Sequence, residues 1–294
     1  MIETQVLSGK IISQNIYDSL ALRITTLKNN TITPSLAVVL VGNNPASAVY
    51  VRSKEKIFSH LKLHTKTFQL DQDTTELEIL QLLDNLNNDQ QYHGILVQLP
   101  LPEHIDTQNI LCSIDPRKDV DGFHPENVGL LSTGHPRYIP CTPKGIIKVL
   151  EYANISLHQK HVVVIGRSNI VGRPISILTS LKKENSNGTT TLCHSGTLDI
   201  NNFTMHADVV IAAIGQPKSI TGDMLKSGTV VIDVGINKVH AGNGKSHKLV
   251  GDADWDSIQG IAAAATPVPG GIGPMTIAML VENTVEAAEY SQQG

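Results

Sequence analysis

Little in the sequence would mark a secreted, membrane-bound or nucleic-acid-binding protein. Its three cysteines, Cys112, Cys141 and Cys193, are far apart, odd in number and outside any CxxC arrangement. That excludes a disulfide frame or a thiolate metal site and points to reduced structural thiols. The 12 histidines are scattered without HxxxH spacing, so no metal is expected. No apolar run approaches the roughly 20 residues of a transmembrane helix, and no membrane partner is expected. Met1-Ile2-Glu3-Thr4-Gln5 has neither the basic nor the apolar region of a signal peptide, and a cytoplasmic protein is expected. Basic blocks are missing too. With a net charge of −4, nothing recommends nucleic acid or an anionic surface as partner. Internal repeats and low-complexity tracts are also absent.

What is present describes a two-domain α/β protein. The chain has 294 residues, 40% of them apolar and 17% charged, enough for a sizeable core. Apolar, β-branched runs predict strands at 37–41, 65–70, 94–99, 162–165, 190–193, 209–213 and 230–234. Helical patterns fall at 9–27, 46–61, 75–87, 142–152, 171–181 and 275–290. Alternation of this kind implies parallel sheet with helices on both faces. A Pro-rich stretch from Gly134 to Pro143 breaks the periodicity and marks a domain boundary. One domain is expected over 1–140 with the last helix, 275–294, packed back on it; the other spans 141–274.

Several stretches carry chemistry. Leu36–Gly42 reads as a buried strand leading through Gly42-Asn43-Asn44-Pro45 into a helix, on which Tyr50 and Lys54 share one face. Taken alone, a helical lysine is usually a surface group. Here the helix starts at the carboxyl end of a strand, where open α/β sheets bind ligands. A lysine desolvated there can act as acid or base near neutral pH. Gln98, closing a strand before Leu99-Pro100-Leu101-Pro102, directs an amide into the same crevice. In Asp115–Phe123, Asp115 and Asp119 read as solvated turn residues. Asp121 reads as an anchor for a planar N–H pair. Val162–Ile165, Gly166-Arg167-Ser168 and Gly172-Arg173-Pro174 form a strand–turn–helix unit of the dinucleotide-binding kind, although not GxGxxG. A plain strand–helix turn is the other reading of that segment. The next strand ends at Cys193-His194-Ser195 without the acidic residue that would accept the ribose 2′-hydroxyl of NAD. Arg167, Arg173, His194 and Ser195 suit a 2′-phosphate instead. Thr266–Thr276 is a Gly/Pro cluster able to let a flat ligand approach backbone.

Together these segments closely resemble the bifunctional methylenetetrahydrofolate dehydrogenase/methenyltetrahydrofolate cyclohydrolases, the FolD family, over nearly the whole chain. The likeness rests on Tyr50-Val51-Arg52-Ser53-Lys54, Gln98-Leu99-Pro100-Leu101-Pro102, Lys118-Asp119-Val120-Asp121-Gly122, Gly166–Gly172 and Pro267–Thr276. It implies an α/β substrate domain plus a Rossmann-type NAD(P)-binding domain, with a cleft between them. It also implies NADP-dependent oxidation of methylenetetrahydrofolate followed by hydrolysis of the methenyl product, in one-carbon metabolism.

By the resemblance Lys54 is the catalytic lysine, Tyr50 stacks on and orients the folate, and Gln98 tunes the lysine. Asp121 binds the pterin edge, and Pro269, Gly270 and Gly271 line the folate pocket. Gly166, Arg167 and Ser168 hold the cofactor's phosphates, with Ser195 and Ile236 nearby. A homodimer is implied as well. Three features depart from the pattern: Gly196 stands where many members carry a basic residue, the loop Lys182–Thr189 is longer than in compact members, and Gly242-Asn243-Gly244-Lys245 decorates a hairpin. Two alternatives are weighed beside this reading. A shikimate-dehydrogenase-like oxidoreductase would need no pterin-binding carboxylate, and a silent folate or nucleotide sensor could dispense with the lysine.

Overall fold

The computed structural model describes residues 3–240 and 247–292, and the expected decoration at Gly242–Lys245 lies outside them. In chain order, β1 (Gln5–Val6) and α1 (Gly9–Asn29) precede β2 (Ser35–Val41), α2 (Pro45–His60), β3 (His64–Leu70), α3 (Glu76–Asn88) and β4 (Gly94–Val97). Three helices follow: α4 (Thr107–Cys112), α5 (Pro125–Ser132) and α6 (Cys141–Tyr152). Then come β5 (His161–Ile165), α7 (Gly172–Ser180), β6 (Thr189–Cys193), α8 (Asn201–Thr204), β7 (Val209–Ala212) and β8 (Val230–Asp233). The chain continues through β9 (Asn237–His240), β10 (His247–Val250), α9 (Trp255–Ile258), β11 (Ala264–Ala265) and α10 (Ile272–Tyr290). Among the described residues no helix is long and apolar enough to cross a membrane.

The chain divides into two compact units, Asn15–Cys141 with Ile277–Gly294, and Met1–Gln14 with Thr142–Thr276. They are called here the Lys54 unit and the Gly166 unit. The sequence-based division put all of 1–140 in one body. Residues 1–14 instead group with the later unit because β1 pairs in parallel with β11, Gln5 opposite Ala264 and Val6 opposite Ala265. A two-residue exposed strand offers no periodicity by which to foresee this.

In the Lys54 unit a parallel sheet runs in the order β3-β2-β4. Every residue of β2 is buried, as a central parallel strand requires when both faces are covered. Alternate side chains serve the two faces. Leu36, Val38 and Leu40 pack with Leu20 and Ile24 of α1, Val51 and Phe58 of α2, and Leu280 and Val281 of α10. Ala37, Val39 and Val41 pack with Ile79 and Leu83 of α3 and Ile110 of α4. A capping box between Thr75 and Glu78 starts α3.

The Gly166 unit holds a parallel sheet in the order β1-β11-β8-β7-β5-β6. From β5 the chain steps outward to β6 and then returns to the other side of β5 as β7. Strand order therefore reverses between β5 and β7, the point at whose carboxyl ends open α/β sheets take ligands. The pair β9–β10 is antiparallel and separate from that sheet.

Phe58 is fully buried between α2 and the sheet, whereas Leu22 on α1 is 76% exposed. Phe58→Ala should cost about 3–5 kcal/mol of stability, and Leu22→Ala within about 0.5 kcal/mol of nothing. Denaturant titration of the two variants checks the contrast.

Candidate active site

The chemistry-bearing helix of the Lys54 unit is fixed at its start by Asn44. Its side-chain oxygen accepts from the N–H groups of Ala46 (2.9 Å) and Ser47 (3.3 Å), and Pro45 occupies the first turn, where a missing N–H costs nothing. Spacings of four, three and four residues then place Ser47, Val51, Lys54 and Phe58 on one buried stripe. Lys54 thus stands where an apolar residue would be expected, 7% exposed. Its Nζ donates to Gln98 Oε1 at 2.9 Å. Gln98 follows β4, its own N–H donating to Val39 O and its Nε2 to Leu99 O, both at 2.8 Å. The amide is held so that its oxygen faces the ammonium.

Burial pushes the Lys54 pKa below the ordinary lysine range, while Asp121 and Cys141 pull it back up. The Asp121 carboxyl is pushed up by burial and drawn down by the charge of Lys54, so the two groups influence each other electrostatically. Tyr50, one turn before Lys54, is half-buried, and burial raises its hydroxyl pKa. Lys54, Gln98 and Asp121 therefore form one cluster, with Tyr50 beside it on the same helix.

Sequence reasoning missed what holds Asp121 in place. Asn283, fully buried on α10, donates through Nδ2 to Val120 O (2.7 Å) and Ile139 O (3.0 Å). The only sequence signal was one amide directly after the apolar run Ile277–Val281, between Glu282 and Thr284. Gly122 turns the chain at φ +72°, and a Cβ there would press on Pro140.

Asp119 requires a correction. It is no solvated turn residue but is 1% exposed, its Oδ2 accepting from His124 N–H and Asn127 Nδ2 at 2.8 Å each. Asn127 is itself buried, donates to Pro116 O and accepts from Arg137. Asp119 is thus the buried post around which the loop folds. Asp115 makes a surface ion pair with Arg117 at 2.7 Å.

In the Gly166 unit the strand–turn–helix motif is tightly closed. Gly166 has φ +118°, and a Cβ on it would lie 2.1 Å from Ala213 O. One on Gly172 would lie 1.9 Å from Gly166 O, so both positions demand glycine. Ser168 Oγ accepts from the N–H groups of Val171 (3.2 Å) and Gly172 (3.4 Å) at the start of α7. Arg167, Arg173, Ser195 and Ile236 are exposed, and β6 ends without a carboxylate.

The Pro269–Gly271 loop belongs to this unit too. Pro269 is exposed and Gly270 has φ +107°, whereas Gly271 is buried against Pro267 and Gly9. Two buried carboxylates, Asp233 and Asp252, were also missed. Burial pushes Asp233 up to about 6, against the pull of three backbone N–H groups.

A family model described as the catalytic domain of tetrahydrofolate dehydrogenase/cyclohydrolase matches residues 7–121, and one described as its NAD(P)-binding domain matches residues 140–292. The chain belongs to the tetrahydrofolate dehydrogenase/cyclohydrolase family. The bifunctional protein FolD of Acetivibrio thermocellus is 47% identical over 287 residues, covering 98% of each chain. A crystal structure of the bifunctional FolD enzyme from Campylobacter jejuni superposes with a TM-score of 0.93 at 44% identity, covering 98% of this chain and 99% of that one. The family enzyme of Trypanosoma brucei, complexed with NADP cofactor and inhibitor, gives 0.94 at 34% identity over the full length of both. Membership removes the shikimate-dehydrogenase-like alternative. Within the family frame, Lys54, Gln98 and Asp121 lie in the catalytic-domain match and Gly166, Ser195 and Ile236 in the NAD(P)-binding match.

Asp119→Ala should cost about 3 kcal/mol of stability, because it leaves one N–H of the buried Asn127 amide and the His124 N–H without their shared acceptor. A melting curve checks this; an unchanged midpoint would return Asp119 to the solvated class.

Proposed function

We propose that the protein oxidises 5,10-methylenetetrahydrofolate to the 5,10-methenyl compound with NADP and hydrolyses that to 10-formyltetrahydrofolate. The observation that carries the reading is the buried ammonium of Lys54 held against Gln98 beside Asp121, in a chain of this family. When bound, the nicotinamide supplies the hydride acceptor. Hydride leaves the one-carbon bridge without a proton transfer, so the protein's share in that step is alignment, assigned to Tyr50 stacking on the folate. Hydrolysis asks more. Water adds to the methenyl carbon, a proton must leave that water, and the departing ring nitrogen must receive one as its bond to carbon breaks. Lys54 as neutral amine takes that first proton and as ammonium gives one to the nitrogen, while the hydroxyl proton of the adduct leaves to solvent as the formyl C=O forms. Gln98 fixes where Nζ sits. Asp121 accepts from the planar N–H pair of the pterin, and Pro269, Gly270 and Gly271 are kept as folate contacts on the strength of the resemblance.

The dinucleotide reading fits the close backbone approach at Gly166 and Gly172, which leaves room for phosphates at the start of α7. Gly166, Arg167 and Ser168 would hold the phosphates, with Ser195 and Ile236 contributing. Ser168 spends its hydroxyl oxygen partly on the helix start. The missing carboxylate after β6 and the exposed Arg167 and Arg173 support NADP over NAD. A homodimer and a cytoplasmic setting complete the reading; the three free cysteines suit a reducing compartment.

Lys54→Met keeps the apolar stem and removes the amine. Cyclohydrolase activity should fall at least a hundredfold, the lower bound of general acid–base help, with dehydrogenase activity falling less and NADP binding nearly unchanged. Burial lowers the Lys54 pKa, so its neutral form is populated below the usual lysine range. The wild-type cyclohydrolase rate should therefore climb with pH along a limb below that range, and the variant should lose the limb. Spectrophotometry of methenyltetrahydrofolate decay across pH, on folded protein, decides it. Full retention of cyclohydrolase activity would remove Lys54 from the mechanism.

Catalytic efficiency should be higher with NADP than with NAD. Equal values for the two in a steady-state assay would discard the 2′-phosphate reading of Arg167, Arg173 and Ser195.

A further inference from the structure

The mechanism above leaves two of the most enclosed carboxylates unused. Asp252 is fully buried and Asp233 nearly so, and the hydrogen bonds they accept come from backbone N–H groups and one amide. Asp252 Oδ2 accepts from Ile214 N–H (2.6 Å) and Gly215 N–H (2.9 Å), and its Oδ1 from Asn237 Nδ2 (2.9 Å). Asp233 Oδ1 accepts from the N–H groups of Gly235 (2.9 Å) and Asp252 (3.0 Å), and its Oδ2 from that of Ala253 (2.8 Å).

Glycines make room for both. A Cβ on Gly235 would lie 2.2 Å from Asp252 Oδ1, and one on Gly251 1.8 Å from Asp233 Oδ2. Burying a carboxylate costs several kcal/mol unless hydrogen bonds satisfy it. Of the groups gripped, Ile214 and Gly215 directly follow β7, at the carboxyl end of a strand at the reversal of strand order, and Gly235 follows the neighbouring β8. Asn237 opens β9, and Asp252 and Ala253 follow β10. The segment gripped by Asp252 also begins with Ala213, whose carbonyl closes on Gly166.

We infer that Asp252 is a positioning residue for the bound dinucleotide. It fixes the 213–215 segment and Asn237 in the shape the cofactor meets, while Asp233 fixes Asp252. This rests on the dehydrogenase reading above. Charge is not what the loop requires; one oxygen that accepts from both Ile214 and Gly215 is. In Asp252→Asn the amide oxygen can serve Ile214 and Gly215, and the amide nitrogen can face Asn237 once that side chain rotates its own amide.

The test uses the full-length protein and NADP itself. Binding is followed by calorimetry, and cyclohydrolysis of methenyltetrahydrofolate, which consumes no cofactor, serves as the internal control. Asp252→Ala should raise the NADP Kd and KM at least tenfold, with cyclohydrolase activity within twofold of wild type. Asp252→Asn should stay within threefold of wild type on every measure. Should Asp252→Ala not fold, Asp252→Ser takes its place, its hydroxyl too short to reach the 213–215 segment. An unchanged NADP Kd in the alanine or serine variant overturns the inference. So does equal loss of NADP affinity and cyclohydrolase activity, or failure of both variants to fold, since Asp252 would then serve the fold alone. Wild-type protein that binds no NADP would instead overturn the dehydrogenase reading, before any variant is compared.

Discussion

An ammonium group out of water must be satisfied or neutralised, and the Lys54 unit is arranged around that constraint. Lys54 lies on the same buried stripe as Val51 and Phe58, so the packing that holds α2 against the sheet also removes water from Nζ. Gln98 is a neutral acceptor. It steadies the amine without adding the charge that a carboxylate in direct contact would bring. Asp121 is the charged neighbour, sensed electrostatically, and its pull upward on the lysine pKa opposes the larger push downward from burial. The two effects together leave a group able both to hold and to release a proton.

That balance depends on residues far from Lys54 in the chain. Asp121 can face the lysine only if the loop before it has a fixed shape, and Asp119 supplies the shape from inside. Its bonds to Asn127 and His124 fold the following eight residues around it. Asn283 then ties Val120 and Ile139 to α10. Two aspartates separated by one residue thus differ in kind: Asp119 is consumed by the fold, and Asp121 is the charged neighbour of Lys54.

How much of this was legible in the sequence follows the range of the interactions. The strands around Val38 and Val164 and the helix carrying Lys54 rest on local pattern, and they appear within two residues of their expected bounds. The resemblance pointed to Lys54, Gln98 and Asp121 as one site because its motifs span the distance between them. Asp119 was misread because the partners that bury it, His124 and Asn127, lie beyond the turn, and a DxD pair in a charged loop looks solvated. Asn283, Asp233 and Asp252 were invisible for the same reason, their partners being set by tertiary packing. The strand β1 is too short to carry any signal.

The cluster around Lys54 and the loops around Asp233 and Asp252 satisfy their buried polar groups differently. The Lys54 unit uses side chains of different charge and so creates a titratable cluster, where each group shifts the others. The Gly166 unit turns backbone N–H groups onto carboxylates and closes backbone on backbone at Gly166 and Gly172. The first arrangement suits proton transfer, which needs a group able to change charge. The second suits holding a ligand still, because carboxylates gripped by two or three N–H groups and glycines without free space leave the loops one conformation. A single chain that runs hydride transfer and hydrolysis needs both properties, and here each is found on its own sheet.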